Sequence, residues 1–212
     1  MEHFSHTDLT TIKHWLGTGS INIFGLPFSG KDTHAKLLAK QLDASIMGGG
    51  EILRNSVIPP HVKELLDAGS LVPVDDFIRI VLPYLSRPEF AGRPLILSTV
   101  GRSHGEEEGV MGATQAAGHP IKAVVYLVLS EEISRRRFAE SVDTKERGWR
   151  ADDAEHKLAT RYAAFYEKTL PVLEFYREKG LLIEIDGVPS IEDVQQAILG
   201  QLLAKAEAES AS

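Results

Sequence analysis

A short glycine-rich loop between an apolar run and a helical stretch constrains this chain more than any other feature. Residues 25–33 read Gly-Leu-Pro-Phe-Ser-Gly-Lys-Asp-Thr, directly after the apolar positions Ile21, Ile23 and Phe24. Glycines at both ends of such a loop let successive backbone N–H groups point inward, and the following helix adds the positive end of its dipole. The pattern predicts a strand, an anion-binding loop and a helix, with Lys31 as a mobile cation for phosphate.

The loop departs by one position from the general phosphate-loop pattern, which has Gly, four residues, Gly-Lys and then Ser or Thr. Asp32 occupies the last place and Thr33 follows it. An ordinary strand-to-helix turn is the alternative interpretation, and the strand, loop and helix context favours phosphate binding. The predicted nucleotide-phosphate site comprises Gly25, Pro27, Phe28, Ser29, Gly30, Lys31, Asp32 and Thr33.

Composition is consistent with one substantial α/β core. The chain has 212 residues, of which 43% are hydrophobic and 25% charged. It contains no cysteine, which excludes disulfides and thiolate metal sites, and its first residues form neither a basic leader nor an apolar run. A net charge of −7 argues weakly against nucleic acid and leaves small molecules as the expected partners. We expect a cytoplasmic monomer without membrane segments.

Apolar runs alternate with amphipathic stretches, which is typical of an open parallel sheet with helices on both faces. Five strands are predicted, at 20–24, 44–47, 94–99, 123–129 and 181–185. An extra amphipathic helix is predicted within residues 1–19, and residues 206–212 are expected to fray into solvent. The other predicted helices are 31–42, 51–55, 60–67, 74–85, 107–117, 131–140, 152–179 (bent or divided by Pro171) and 190–205.

Three further loops lie next to predicted strands or helices. Residues 48–54 read Gly-Gly-Gly-Glu-Ile-Leu-Arg, residues 68–73 read Ala-Gly-Ser-Leu-Val-Pro, and Arg102 follows the third strand. In an open parallel sheet, ligands bind outside the carboxyl ends of the strands, so these loops should face the phosphate loop. Arg54 and Arg102 are then forked donors for a second anionic group.

A second pair of arginines, Arg150 and Arg161, lies later in the chain. Eleven residues of a single helix would separate them by roughly 16 Å, so they meet only if Arg150 lies on a loop that folds back. Residues 142–149 are therefore predicted to form a lid. Asp152 and Asp153 are either helix-capping carboxylates or anchors that orient the arginines.

The order of these segments resembles the adenylate kinase family of nucleoside monophosphate kinases, from Ile21 to about Leu203. The resemblance implies a phosphate-loop NTPase-type fold with one kinase domain at 20–205, an acceptor-binding helical region at 49–78 and a short lid at 141–150. It also implies transfer of the γ-phosphoryl group from Mg²⁺-ATP to a nucleoside monophosphate, typically AMP. The similarity rests on the phosphate loop, residues 51–54 and 68–73, Arg102, Arg150 with the following acidic pair, Arg161, and Pro171 before Phe175-Tyr176.

The resemblance further implies roles for the matching residues, with ATP and Mg²⁺ as cofactors and no side chain as a direct metal ligand. The implied catalytic residues are Lys31, Arg102, Arg150 and Arg161. Beyond the phosphate loop, ATP is expected to contact Arg136, by stacking on adenine, and the backbone at Gly187 and Val188. The implied acceptor site comprises Gly49, Arg54, Leu71, Val72, Arg102 and Glu106.

Several residues differ from the family's pattern. Phe28 and Asp32 replace loop glycines. Ser98 stands where the family has an aspartate that orders the metal's water shell, and Glu140 falls where a phosphate-facing arginine is usual. An active kinase and a catalytically weak nucleotide-binding or regulatory relative therefore both remain open, as does a phosphate-loop kinase for another small acceptor.

Glu106 is relevant to the choice of acceptor, because the family has a glutamine at this position that forms hydrogen bonds with the edge of adenine. A carboxylate only accepts hydrogen bonds, which suits the N1–H and N2–H₂ donors of guanine better and opens GMP as an acceptor. The alternative is a solvated carboxylate at a helix start, favoured by the helix dipole. The resemblance favours AMP.

Overall fold

The computed structural model describes residues 4–55, 57–144 and 155–211. Its strands form one parallel sheet in the order β2-β3-β1-β4-β5, which confirms the predicted five-stranded α/β fold. Each strand boundary lies within two residues of its predicted place. The strands are β1 (Ser20–Gly25), β2 (Ser45–Gly48), β3 (Leu95–Ser98), β4 (Ile121–Val128) and β5 (Leu182–Asp186).

Helices cover both faces of the sheet. Short 3-10 turns follow α5 at Leu82–Ser86 and Pro88–Phe90. Within the described ranges, no helix is both long enough and apolar enough to cross a bilayer. The helices are α1 (His6–Leu16), α2 (Lys31–Leu42), α3 (Gly49–Asn55), α4 (Pro60–Asp67), α5 (Val74–Val81), α6 (Glu107–Ala116), α7 (Glu131–Thr144), α8 (Glu155–Ala164), α9 (Leu170–Glu178) and α10 (Ile191–Ser210).

Prolines divide two of the predicted helices. The long helical stretch is interrupted by a π-helical turn at Phe165–Thr169, and Pro171 lies in the first turn of α9. In the first turn of a helix the backbone N–H groups have no partner within the helix, so proline, which lacks this N–H, costs no hydrogen bond there. The predicted helix at 74–85 likewise ends as an α-helix at Val81, and Pro83 lies in the first turn of the 3-10 segment that follows.

Successive side chains of the central strands point into two different hydrophobic cores, as the period of a β-strand requires. Phe24 and Val124 belong to the first core, which packs against α3 to α6, α8 and α9. Ile23 and Val125 belong to the second core, which packs against α1, α2 and α10. The phosphate-loop helix α2 and the predicted N-terminal helix α1 therefore share one face of the sheet.

The segment 206–210 is helical rather than frayed. α10 continues to Ser210, and Ala206 is fully buried. Trp15 Nε1 of α1 donates a hydrogen bond to Glu209 Oε2 at 2.7 Å. The expectation of fraying is therefore wrong for residues 206–210. The composition of this segment, rich in Ala and Glu, predicts solvent exposure, but α1 supplies the surface against which the end of α10 packs.

Candidate active site

The loop between β1 and α2 has the backbone of an anion-binding nest. Gly30 precedes α2 as its N-cap in the left-handed region, with a φ of 90°. Gly25 has no room for a side chain, because a Cβ there would lie 2.4 Å from Ser29 Oγ. Phe28 also has a positive φ, 59°, which ordinarily favours glycine. The loop thus keeps a glycine-like shape although Phe28 replaces a glycine.

The Phe28 side chain connects the loop to two helices. Its ring packs edge-on against Phe138 of α7, with centroids 5.1 Å apart. The Arg161 guanidinium of α8 lies 5.8 Å from the centre of the same ring. These contacts hold the loop residue in place despite its strained backbone, and they bring Arg161 to the phosphate loop.

A cavity of about 330 Å³ opens beside the loop, where β2 and β3 end. Basic side chains from four segments of the chain line it, and such a cluster suits polyanionic ligands. The structure thereby brings together Lys31, Arg54, Arg102 and Arg161, as the sequence predicts. The lining comprises Lys31, Asp32, Lys36, Ile46, Gly48, Gly50, Glu51, Arg54, Ser98, Thr99, Arg102 and Arg161.

A smaller pocket of about 20 Å³ continues the cavity toward the loop backbone. It shares Lys31, Arg102 and Arg161 with the larger one and adds Gly25, Pro27 and Leu71. The Arg102 carbonyl accepts a hydrogen bond from Thr169 Oγ1 at 2.8 Å, which ties the Arg102 loop to the π-helical turn. Phosphate-loop residues and predicted acceptor residues therefore lie on one continuous surface.

Two carboxylates also line the cavity, Asp32 and Glu51. Ser98 Oγ at the end of β3 donates a hydrogen bond to Asp32 Oδ1 at 2.6 Å. Two departures from the family's pattern, which are 66 residues apart in sequence, are thus in direct contact.

Comparison with known proteins decides the family. A family model described as adenylate kinase matches residues 23–181, which is most of the chain. The chain belongs to the adenylate kinase family. It is therefore a phosphotransferase enzyme.

Curated relatives named adenylate kinase agree with this membership of the adenylate kinase family. The protein of Stenotrophomonas maltophilia (strain K279a) is 30% identical over 187 residues, covering 86% of this chain and 98% of the relative. That of Caulobacter sp. (strain K31) is 32% identical over 185 residues, with 83% and 94% covered. That of Kosmotoga olearia is 31% identical over 212 residues, with 86% and 98% covered.

In this adenylate kinase family member, Arg137 and not Arg136 contacts the loops of the predicted ATP side. Arg137 Nη2 donates to the carbonyls of Gly187 at 2.8 Å and Val188 at 3.2 Å, and Nη1 donates to that of Ser29 at 3.4 Å. Arg136 is exposed, with its Nε 3.8 Å from Glu140 Oε1. The expected stacking of Arg136 on adenine stays a prediction, and Arg137 is an additional arginine that orders the loops of the predicted ATP side.

Arg136 and Arg137 have different surroundings because neighbouring residues of a helix point about 100° apart. Ile133 packs against the first core and lies one turn before Arg137, so the apolar period marks Arg137 as the inward arginine. Gly187 is fixed as well, because its N–H donates to the Val128 carbonyl at 2.8 Å and a Cβ there would lie 3.2 Å from that oxygen.

Glu106 is buried, with 3% of its surface exposed, and is not among the described residues that line the cavity. Its Oε2 accepts a hydrogen bond from the Ser103 N–H at 3.0 Å. Burial raises the pKa of Glu106 to about 7, although the Ser103 hydrogen bond and the Arg102 charge both lower it. The interpretation of Glu106 as a solvated helix-start carboxylate is therefore wrong.

The remaining predicted site residues lie in several environments. Gly49 is buried, and a Cβ there would lie 3.3 Å from the Thr99 carbonyl. Val72 is part of the first core, and Thr33 is exposed. Residues 141–144 of the predicted lid continue α7, whereas residues 145–150, Arg150 among them, lie outside the described residues, as do Asp152 and Asp153.

Proposed function

We propose that the chain is a nucleoside monophosphate kinase that transfers the γ-phosphoryl group of Mg²⁺-ATP to AMP and yields two ADP. The observation that carries this proposal is the cavity on which Lys31, Arg54, Arg102 and Arg161 converge. Two nucleotides brought together carry more negative charge than one, and cations from four chain segments match such a pair. The names of the curated relatives support AMP as acceptor.

The proposed mechanism is positioning and charge neutralisation, because phosphoryl transfer passes through a loose transition state that needs little covalent help. Lys31 and the loop N–H groups hold the β and γ phosphates of ATP. Arg54 and Arg102 hold the phosphate of the acceptor. Arg161, which lines the same cavity, neutralises charge on the transferring group, and Arg150 is proposed to join it.

The residues of the cavity fit the Mg²⁺ that the family implies. Mg²⁺ prefers oxygen ligands, keeps several water molecules and is bound through one or two carboxylates together with substrate phosphates. Asp32, Glu51 and the Ser98 hydroxyl provide such oxygens beside Lys31. When bound, the ion would neutralise charge on the β and γ phosphates.

Specific observations favour the second candidate, a weak nucleotide-binding or regulatory relative. Glu140 is exposed beside Arg136, so this position adds no cation to the described cavity. Phe28 introduces backbone strain in the phosphate loop. A preference for GMP depends on Glu106, whose carboxylate is buried against the Ser103 N–H and is not among the described residues that line the cavity, so this placement does not support recognition of guanine.

A coupled assay of ADP formation tests the proposal, with ATP, Mg²⁺ and each of AMP, GMP, CMP and UMP. We expect AMP to react fastest and Lys31→Met to lower kcat/KM by about 10³-fold, because a cation on the transferring phosphates is lost. Lys40→Met is the matched control, since Lys40 is exposed in the last turn of the same helix. Wild-type turnover no higher than that of Lys31→Met with every acceptor would exclude the kinase and leave the binding relative.

We also propose that the enzyme acts as a cytoplasmic monomer with small-molecule nucleotides as partners and no nucleic acid. ATP and nucleoside monophosphates are cytoplasmic metabolites. Light scattering during size-exclusion chromatography should give the mass of a single chain.

A further inference from the structure

The contact between Asp32 and Ser98 gives the cavity an oriented carboxylate. Asp32 lies in the first turn of α2, and Ser98 is the last residue of β3. The hydroxyl of Ser98 donates to Asp32 Oδ1 at 2.6 Å, and both residues line the cavity. The hydrogen bond therefore fixes the direction of the carboxylate relative to the end of the sheet.

A carboxylate at this place is unfavourable for binding phosphate alone. Asp32 directly follows Lys31, so it lies beside the phosphates that the loop would hold. The helix N-terminus stabilises the carboxylate in the free protein but does not remove its repulsion of a nucleotide. A divalent cation between the carboxylate and the phosphates turns this repulsion into attraction.

The place of Asp32 in the loop agrees with such a cation. In phosphate loops, the residue directly after the lysine puts its side-chain oxygen on Mg²⁺. Asp32 has that place in this chain, whereas Thr33, the next hydroxyl, is exposed and is not among the described residues of the cavity. A carboxylate is also a stronger Mg²⁺ ligand than a hydroxyl because it carries charge.

We propose that Asp32 is a protein ligand of the Mg²⁺ bound to the nucleotide, and that Ser98 is the positioning residue that orients its carboxylate. This inference rests on the proposed function, since it requires that the loop binds ATP. It replaces the expectation that no side chain of this protein ligates the metal, and it explains why Asp32 and Ser98 occur together.

Calorimetric titration with ATP, in Mg²⁺ and in EDTA, tests the role of Asp32 without depending on turnover. Asp32→Asn keeps the shape of the side chain and an oxygen that accepts from Ser98. In the wild type we expect Mg²⁺ to tighten ATP binding. In Asp32→Asn we expect this gain to fall by about tenfold, the usual loss when a metal site is weakened, while binding in EDTA stays equal or tightens.

Asp75→Asn is the matched control, because it removes the same charge from the exposed first turn of another helix, α5. It should keep the wild-type gain from Mg²⁺. If Mg²⁺ tightens ATP binding by Asp32→Asn as much as it does in the wild type, the ligand role of Asp32 is overturned, while ATP binding and the proposed function remain intact. Failure of the wild type to bind ATP under both conditions would instead refute the proposed function and, with it, the ligand role of Asp32.

The role of Ser98 is tested by the Mg²⁺ concentration that half-saturates the complex with ATP. Ser98→Ala removes the hydroxyl and should raise this concentration by about tenfold, whereas Ser98→Thr restores the hydroxyl and should return it to the wild-type value. Equal values for the alanine variant and the wild type would overturn the positioning role.

Discussion

The first and second cores pack on the same sheet, but their helices contribute different polar groups. In the second core, His34 of α2 pairs with Gln195 of α10 at 2.8 Å, and the Gln195 amide donates to Gln41 at 2.7 Å. On the side of the first core, Glu106 and Glu107 are buried next to the loop that carries Arg102.

This difference separates neutral packing from charged chemistry. Burial lowers the pKa of His34, which favours the neutral imidazole on the side of the second core. The first core instead adjoins the cavity, to which α3, the Arg102 loop and α8 contribute the charged side chains of Arg54, Arg102 and Arg161. Substitution of a charged side chain that lines the cavity should therefore alter activity, and truncation of an apolar side chain in the second core should alter stability.

The largest expected effect comes from Arg102→Ala. Loss of a forked donor for the acceptor phosphate should lower kcat/KM with AMP by about 10³-fold at an unchanged thermal midpoint. Steady-state kinetics and thermal unfolding measure the two quantities. Arg93→Ala is the control, because its exposed ion pair with Asp43 lies outside the cavity, and it should stay within twofold. Comparable losses in both variants would contradict the proposed role of Arg102.

In the second core, Leu38→Ala should reverse this pattern. Leu38 is fully buried, so the cavity left by truncation should lower the free energy of unfolding by about 3 kcal/mol. KM for AMP should not change, because Leu38 does not line the described cavity. Urea unfolding and kinetics below the transition test both statements. A rise in KM without a loss of stability would show that this face also serves the site.

Glu106→Gln should remove a pH dependence of stability. Because burial raises the pKa of Glu106 from 4.5 to about 7, the folded protein keeps a proton that the unfolded chain releases between these values. The free energy of unfolding therefore falls as pH rises through this window, by up to ~3 kcal/mol. Glutamine cannot ionise and still accepts from Ser103. Urea unfolding of both proteins at pH 4.5 and pH 8 should show equal stability at the lower pH and a more stable variant at the higher one.

The smallest expected effect concerns Phe28. Phe28→Ala and Phe28→Gly both remove the ring that packs on Phe138, but only glycine relieves the positive φ of 59°. The glycine variant should thus be more stable than the alanine variant by about 1 kcal/mol. Chemical unfolding measures this difference, and equal stabilities would mean that the loop relaxes elsewhere when the ring is lost.

The parts of the fold set by local pattern could be predicted from the sequence. The loop at 25–33, the five strands and the break near Pro171 follow from apolar periodicity and from glycine and proline, which act within a few residues. The convergence of Arg54 and Arg102 near Lys31 follows from the rule that loops at the carboxyl ends of parallel strands meet.

The features that depend on tertiary contact could not be predicted in this way. Burial of Glu106 depends on how the first core closes over the start of α6, and a run of three glutamates suggests solvent instead. Helicity of 206–210 depends on α1, which is distant in sequence. The hydrogen bonds from Arg137 to the Gly187 and Val188 carbonyls likewise join α7 to a loop that lies 50 residues further along the chain.

The pairing of α1 with α10 also has a consequence for how the protein is made. Trp15 and Glu209 are 194 residues apart, so at ribosomal speeds α1 waits roughly 10 to 40 s for its partner to be synthesised. During that interval the apolar side of α1, with Ile12 and Leu16, lacks the helix that covers it. The second core therefore cannot close on the sheet until α10 has been synthesised.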